Sequence, residues 1–527
     1  MKAKKWLKYW VLTVSILLGS ISYSVVSIDP FFHYHKPRVN EYYYPLNNQR
    51  SQNDGIIKNF DYNAMITGTS MTENFKTSEM DNIFGCSSIK VSFSGASYKE
   101  INDNVERALN ANKNLKIIVR GIDGTAFFSD SNYMRSDLGE YPEYLYDDNL
   151  LNDVNYLWNR DVIFGRVYNM YNDSKEEGFV PGITSFDEYS NWQKSFDYGI
   201  EAAGHGFEVN PKAEESHLSQ EEKEIIKENI EKNLISVPDK YLDVDFYYFY
   251  TPYSILFWND LNNNGLLVKQ IEAEKYITEL LLPHKNIHLF SFNSRTDIIT
   301  DLNNYRDALH YAEWVNSLIL KWMHEGKYQL TRESCEEYFR NEKEFFTNFD
   351  YYTIENQTDY EDDYYAGALL NQELTGIKPV DVLNDDRFTY ELSDSLIIDN
   401  EGIKTGVDCF GTLGRNPMDE DLSTYLKDSK YIGLKFNINK DRYTRYLCFK
   451  GQKIKDHGSL AVCVYNSEGD CVDSKAIEYY DMDSDVHTYT IKLPDGSDTL
   501  TIIMNGGYID NTGSIDSNYQ FSDIFLY

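Results

Sequence analysis

The sequence predicts a three-layer α/β/α domain built on a parallel sheet, followed by an all-β domain, and three observations carry the prediction. Strand-like apolar runs alternate with helical spacing over about residues 63–325. That grammar stops in an irregular, acidic stretch over 326–385. Short alternating runs separated by Gly, Asn and Asp turns then fill 386–527, the pattern of a β-sandwich or jelly roll. A chain of 527 residues exceeds one ordinary domain and has ample material for two cores.

The first element is apolar. Lys2, Lys4, Lys5 and Lys8 precede Trp10 to Ile28, a run just long enough to cross a bilayer, and Asp29-Pro30 stops it. The lysines favour a cytoplasmic N-terminus and place everything after residue 29 outside the cytoplasm. A cleaved signal peptide is the alternative; the run is longer than a usual signal core and lacks a clear Ala-x-Ala site, so an uncleaved single-pass anchor over 1–29 is preferred.

Residues 30–62 are polar and aromatic and read as an extended lead into the first strand, expected at Asn63 to Thr67. Further strands are expected at Ile89 to Phe93 and Leu115 to Val119, with a helix over Lys99 to Ala111 between them. Residues 129 to about 235, rich in Asp, Glu, Asn and Tyr, read as an insertion beside the site, with helical spacing at Glu221 to Asn233. Regular order resumes with a strand at Phe246 to Tyr250, a helix over Leu266 to Leu282, a strand at Ile287 to Phe292, and an amphipathic helix from Leu309 to Trp322. In such sheets sites gather at the carboxyl ends of the strands.

Composition narrows the function classes. A formal charge of -34 repels nucleic-acid backbones and anionic lipid surfaces, so no nucleic-acid partner is expected. The 44 tyrosines supply stacking surface for sugars or reflect a compositional bias of the source genome, and the counts do not separate the two. Six cysteines over this length do not form a disulfide framework, and only Cys463 and Cys471, flanking a hairpin, invite pairing.

Chemistry is carried by three residues. Ser70 follows the first strand in Gly68-Thr69-Ser70, where a turn exposes its hydroxyl. Asp307 and His310 follow the last strand as Asp-x-x-His, a spacing that lets a carboxylate orient an imidazole base. Gly95, in Phe93-Ser94-Gly95-Ala96-Ser97, lies after the second strand. A turn serine and a capping aspartate are the structural alternative.

The order and context of these blocks resemble the SGNH/GDSL hydrolase superfamily, in particular its membrane-anchored, exported branch, which includes lipoteichoic-acid D-alanylation and alginate acetylation type proteins. The resemblance covers about residues 60–325 and implies a flavodoxin-like fold. It also implies Ser70 as nucleophile, Gly95 as an oxyanion-hole amide, and Asp307 with His310 closing the site. Where the family has Gly-x-Asn-Asp, this chain has Arg120-Gly121-Ile122-Asp123-Gly124, without the asparagine that completes the hole. Asp123 then either binds a substrate hydroxyl or ends its strand.

The expected activity is that of an extracytoplasmic serine esterase or O-acyltransferase on acyl esters of cell-envelope polysaccharide or a teichoic-acid-like polymer. No cofactor is expected; the expected partners are the glycan or polymer, the membrane through the N-terminal helix, and a membrane protein that donates an activated acyl group. A catalytically inactive surface module that binds glycan through the sandwich is the alternative. No metal site is expected. His33 and His35 read as juxtamembrane packing without a third ligand. Asp260-x-Asn262-x-Asn264-Gly265 and Asp481-x-Asp483-x-Asp485 imitate calcium loops but lack the ligands to complete them.

Overall fold

The computed structural model describes residues 2–356 apart from 136–140, 148 and 212, and beyond these the β-strands from Val380 onward together with Leu493. The chain divides into two compact units, Met1–Gln357 and Thr358–Tyr527.

The first unit is α/β. Five parallel strands, β1 (Ala64–Gly68), β2 (Ser88–Ser92), β3 (Ile117–Ile122), β4 (Asp245–Tyr250) and β5 (Ile287–Ser291), lie in the order β2-β1-β3-β4-β5. β1 and β2 are both buried along their whole length, although only β1 reads as a near-continuous apolar run and β2 alternates around the buried Lys90. From β1 the chain crosses to one neighbour, β2, and from β2 it crosses back to the other, β3. Right-handed crossovers then put the helices Thr77–Phe84 and Tyr98–Ala111 on opposite faces of the sheet. The first packs against Glu313–Glu325. The second packs beside Gln49–Asn59 and the turn at Glu231–Ile235. The reversal of strand order between β1 and β3 is where a flavodoxin-like sheet opens a crevice, and Ser70 and Asp123 stand just beyond those two strand ends.

Several elements differ from the sequence reading. The lead over 30–62 is not simply extended: Gln49–Asn59 is a helix, capped by the Asn48 side chain. Its buried face is Gln52, Asn53, Asp54 and Gly55 with Ile56 and Ile57, so it lacks the apolar stripe by which helices are recognised. The stretch from residue 326 to 356 is ordered as the helix Cys335–Asn348 and a short turn, and Phe346 stacks on Trp258 with ring centroids 3.9 Å apart. The acidic run at 359–365 lies outside the described residues, as does the motif at 481–485. The Asp260 motif is a helix C-terminus, with Gly265 at φ +67 following the helix Ile255–Asn263.

The described residues of the second unit are β-strands, and most of them form two antiparallel sheets, as a β-sandwich has. One sheet runs Leu396–Asp399, Gly402–Thr405, Tyr519–Leu526, Tyr446–Lys453, Val486–Lys492. The other runs Cys471–Ile477, Leu460–Tyr465, Thr499–Asn505, Gly433–Asn439, Thr389–Leu392. Leu447, Phe449, Val464, Ile524 and Leu526 are buried. The expected hairpin around residues 466–470 forms, but a register shift between Val464 and Tyr465 sets Cys463 opposite Ser474 and Cys471 opposite Tyr465. The two cysteines are therefore not cross-strand partners: the hairpin closes between Tyr465 and Cys471, a shorter connection than a Cys463–Cys471 pairing needs.

Candidate active site

The serine turn is built by short-range hydrogen bonds. Gly68 closes β1 at φ +151, and a Cβ there would lie 2.6 Å from Thr72 Cγ2, so the turn can fold this tightly only on glycine. The Thr72 amide and hydroxyl both return to the Thr69 carbonyl, at 3.1 and 2.9 Å, and the hydroxyl also meets Ser92 Oγ of β2 at 2.7 Å. Thr69 caps the single 3₁₀ turn Ser70–Thr72. Ser70 stands at its start, half-buried. Beneath it, the Lys90 ammonium is buried and donates to the carbonyls of Phe75, at 2.9 Å, and Glu73; burial lowers it to about 7.

The histidine arrives on a loop rather than a helix. Tyr305 and Tyr311 pair across it, and the Asp307 carboxylate accepts the amides of Leu309 (2.9 Å) and His310 (2.8 Å). By capturing these amides Asp307 delays the helix, which starts at Glu313 rather than near the expected Leu309. The imidazole lies between the other two groups: His310 Nδ1 is 2.8 Å from Asp307 Oδ2, and His310 Nε2 is 2.8 Å from Ser70 Oγ. With Nδ1–H donating to the carboxylate, Nε2 is free to accept the serine proton. Tyr311 Oη and Asn316 Nδ2, both at 3.2 Å, donate to the Met71 carbonyl and tie the histidine side to the serine turn.

Charge is arranged unequally around this row. Burial pushes the Asp307 carboxyl up, but the hydrogen bond and charge of His310, with the two loop amides, outweigh it and hold the group well below the usual carboxylate range. Asp123 is the reverse case. Burial raises it, and the hydroxyls of Thr69 and Tyr253 and the charges of His310 and Arg120 only partly oppose that. Its Oδ2 accepts from Thr69 Oγ1 at 2.9 Å and its Oδ1 from Tyr253 Oη at 3.0 Å. Both oxygens are thus engaged within the fold, one of them by the residue that precedes Ser70.

Gly95 takes a left-handed conformation, φ +64, and a Cβ there would lie 2.0 Å from Arg135 Nη1, which donates to the Gly95 carbonyl at 3.2 Å. Among the described residues, no protein acceptor takes the backbone N–H of Ser70 or of Gly95. Two hollows border this loop. One, of about 450 Å³, is lined by Gly95, Ser97, Thr125 and Tyr133; the other, of about 590 Å³, by Gln49, Glu73, Ser94 and Tyr141; Arg135 borders both.

The insertion supplies a wall the sequence did not reveal. Trp192 packs edge-on against the His310 ring at 5.6 Å, and its amide is held by Asn74 Oδ1 at 3.0 Å. The Arg306 guanidinium lies over the Trp192 and Phe196 rings, 4.7 and 3.6 Å from their centroids, while its Nε reaches Asp307 Oδ2 at 3.2 Å. Trp192 stands in a non-periodic stretch more than 110 residues before its partner loop; the one available signal was Arg306 beside Asp307. No cluster of His, Cys, Asp and Glu suited to a metal occurs among the described residues. The His35 ring nitrogens each lie 2.7 Å from a carbonyl oxygen, those of Lys36 and Val26.

No family model matches the chain, and no curated protein matches it. Among solved structures it is similar to a two-domain esterase active on acetylated mannans, crystallised with mannopentaose, at 8% identity and a TM-score of 0.18 over 87% of this chain and 90% of that one. It is also similar to a family two carbohydrate esterase from Cellvibrio japonicus, at 11% identity and a TM-score of 0.15 over 28% and 34% of the two chains. An arabinose-bound α-L-arabinofuranosidase matches at 12% identity and a TM-score of 0.18 over 29% of this chain, which spans 24% of that enzyme's length.

Proposed function

We propose that this chain is a membrane-anchored, extracytoplasmic serine esterase or O-acyltransferase acting on acyl esters of a cell-envelope polysaccharide or teichoic-acid-like polymer. One observation carries the reading: Ser70 Oγ, His310 and Asp307 form a continuous hydrogen-bonded row with 2.8 Å contacts at both imidazole nitrogens. A serine hydroxyl is a poor nucleophile until a base takes its proton, and a neutral imidazole does so when its other nitrogen is held. The row lies at the strand ends where the SGNH hydrolases carry theirs.

In the proposed reaction Ser70 Oγ attacks the ester carbonyl carbon while His310 Nε2 takes the hydroxyl proton. The resulting oxyanion is met by the backbone N–H groups of Ser70 and Gly95, which have no acceptor among the described residues. Collapse breaks the acyl C–O bond, and the imidazolium returns its proton to the departing alcohol. Water, or a sugar hydroxyl in a transferase, then attacks the acyl-serine with His310 again as base, and Ser70 Oγ leaves with the proton. Asp307 keeps the ring oriented and favours its cationic form. Asp123 acts at one remove, by fixing Thr69 and hence the serine turn.

The N-terminal helix, Lys2–Ile28, is long and apolar enough to cross a membrane. Its use as an uncleaved anchor is supported by how deeply its end is built into the fold. Val25 and Ile28 are buried, and the Asp29 carboxylate that follows accepts the amides of His33, Tyr34 and His35 and the Tyr156 hydroxyl. The sandwich beyond residue 386 is the proposed glycan-binding module, and a membrane acyl-donor protein the proposed partner of a transferase.

Fluorophosphonate labelling of the intact protein tests the central claim. The wild type is expected to label and Ser70→Ala not to. A folded wild type that never labels would leave the inactive glycan-binding module, which the absent third-strand asparagine favours, as the better reading.

A further inference from the structure

The anchor helix is not a free tether. Its outer part, from Leu17 to Ile28, lines a groove of about 460 Å³ whose other wall is Ile163, Phe164, Val167, Tyr168 and Tyr171 of the insertion. Trp158 Nε1 donates to Ser22 Oγ on the anchor at 3.0 Å. The wall belongs to a continuous helical stretch, Arg160 to Asp173, with a π-helical turn at Ile163–Tyr168. Phe164, Tyr168 and Tyr171 follow at i, i+4 and i+7 and are 61%, 56% and 50% exposed. Leu150, Leu151, Val154 and Trp158, just before them, are exposed as well.

We propose that this face of the insertion is a second membrane contact, seated in the outer leaflet at the boundary between headgroups and acyl chains. The inference rests on the anchor reading above.

Length arithmetic supports it. Between Lys8 and Asp29 the sequence has 20 residues and no charge. A bilayer core of ~30 Å needs ~20 helical residues at ~1.5 Å each, so the run has no length to spare and the outer boundary falls near Ile28. If the lysines snorkel, the helix shifts outward by about one turn and the boundary moves to near Ser24. In either position, side chains that face the anchor between Leu17 and Ser24 stand at or below the boundary. The chemistry fits lipid rather than water. Between Asp161 and Asp173 the only charged residue is Arg166, whose guanidinium lies over the Phe31 ring at 5.2 Å. Tyr and Trp are the residues that settle at membrane interfaces. In a chain with a formal charge of -34, attraction to anionic headgroups cannot supply the contact, whereas burial of these rings can.

Two points of attachment would fix the domain's orientation, which a single helix does not. The active-site mouth would then stand at a set height above the lipid.

The test is site-specific photocrosslinking of the full chain in the membranes of cells that express it. Leu17, Phe164, Tyr168 or Tyr352 is replaced, one at a time, by p-benzoylphenylalanine, and the adduct is identified by mass. Leu17 reports on the anchor, and Tyr352, 57% exposed, is the remote control. Phospholipid adducts at Leu17, Phe164 and Tyr168 and none at Tyr352 are the expected result. A lipid adduct at Leu17 with none at Phe164 or Tyr168 overturns the second contact and leaves the anchor standing. A protein adduct at Phe164 or Tyr168 overturns it in favour of a partner's helix in the groove. No lipid adduct even at Leu17 removes the anchor and the inference together.

Discussion

Two carboxylates flank the serine turn, and they are held in opposite ways. Asp307, on the loop after β5, has a 41% exposed side chain and is pulled down by the imidazole and the amides around it. Asp123, at the end of β3, is buried, is pushed up by desolvation, and spends both oxygens on neutral hydroxyls. An acidic group beside a histidine can therefore either supply charge to it or frame the backbone that faces it. Partner chemistry separates the two: N–H donors and a ring that can become cationic in one case, hydroxyls in the other.

The contrast is broken most sharply at Asp307. In Asp307→Asn the amide no longer stabilises the imidazolium or enforces the tautomer that leaves Nε2 free. Turnover of a simple acetyl ester is expected to fall on the order of 10³–10⁴-fold. The melting temperature should scarcely move, because the side chain is partly exposed and its contacts are local. Because the Asp307 carboxyl lies below its ordinary range, its contribution is present above that range and lost only as pH falls through its depressed value. Any loss of wild-type rate on mild acidification should then not come from Asp307. A rate profile unchanged in shape and height in Asp307→Asn would remove the residue from the mechanism.

Asp123→Asn should have a smaller effect on rate and a larger one on stability. An amide can accept from only one of the Thr69 and Tyr253 hydroxyls as the carboxylate does. Loosening the turn before Ser70 is expected to cost on the order of 10-fold in kcat, since small misplacements of a nucleophile are expensive. KM should hold, and the unfolding temperature should drop. Should KM rise while kcat holds, Asp123 would be a substrate contact after all.

These differences also mark what the sequence could reveal. Ser70, Asp307 and His310 are legible because each sits in a short motif that follows a strand, and those strands are rich in apolar residues. Within hydrogen-bond reach of one another is where the fold puts them. The role of Asp123 was left open because it depends on Tyr253, which lies beyond the next strand and carries no motif. Trp192 was invisible for a related reason: the insertion has no periodicity to align it with the histidine loop. The Gln49–Asn59 helix escaped because its inward face is polar, paired with backbone groups such as the Ser92 carbonyl, which takes the Asn53 amide at 2.7 Å. The offset of Cys463 from Cys471 follows from where the hairpin closes, between Tyr465 and Cys471, and the turn residues carry no signature that fixes that length.

The smallest expected effect extends the contrast to carboxylates that no site uses. Glu274 and Glu342, on the helices Leu267–Leu281 and Cys335–Asn348, are buried beside one another. Each has one partnered oxygen, from Gln270 at 2.8 Å and Asn293 at 2.8 Å, and one Oε2 without a partner among the described residues. Burial raises both, and the Glu274 charge raises Glu342 further. A carboxyl whose folded value is raised favours the folded state below its ordinary range and loses that contribution as pH climbs through the raised value. Unfolding free energy should accordingly decline from mildly acidic toward alkaline pH. Glu342→Gln removes one ionisation and supplies an N–H to the neighbouring carboxylate. It is expected to be more stable than wild type at pH ~8 by about 1 kcal/mol, with the difference vanishing near pH ~5, in denaturant titrations at the two values. Since the pair touches neither Ser70 nor His310, ester turnover should be the same in both proteins. Equal stability of the two at pH ~8 would mean that the neighbouring carboxyls are already satisfied, and that Asp123 is not unusual among the buried acids of this fold in having every oxygen engaged.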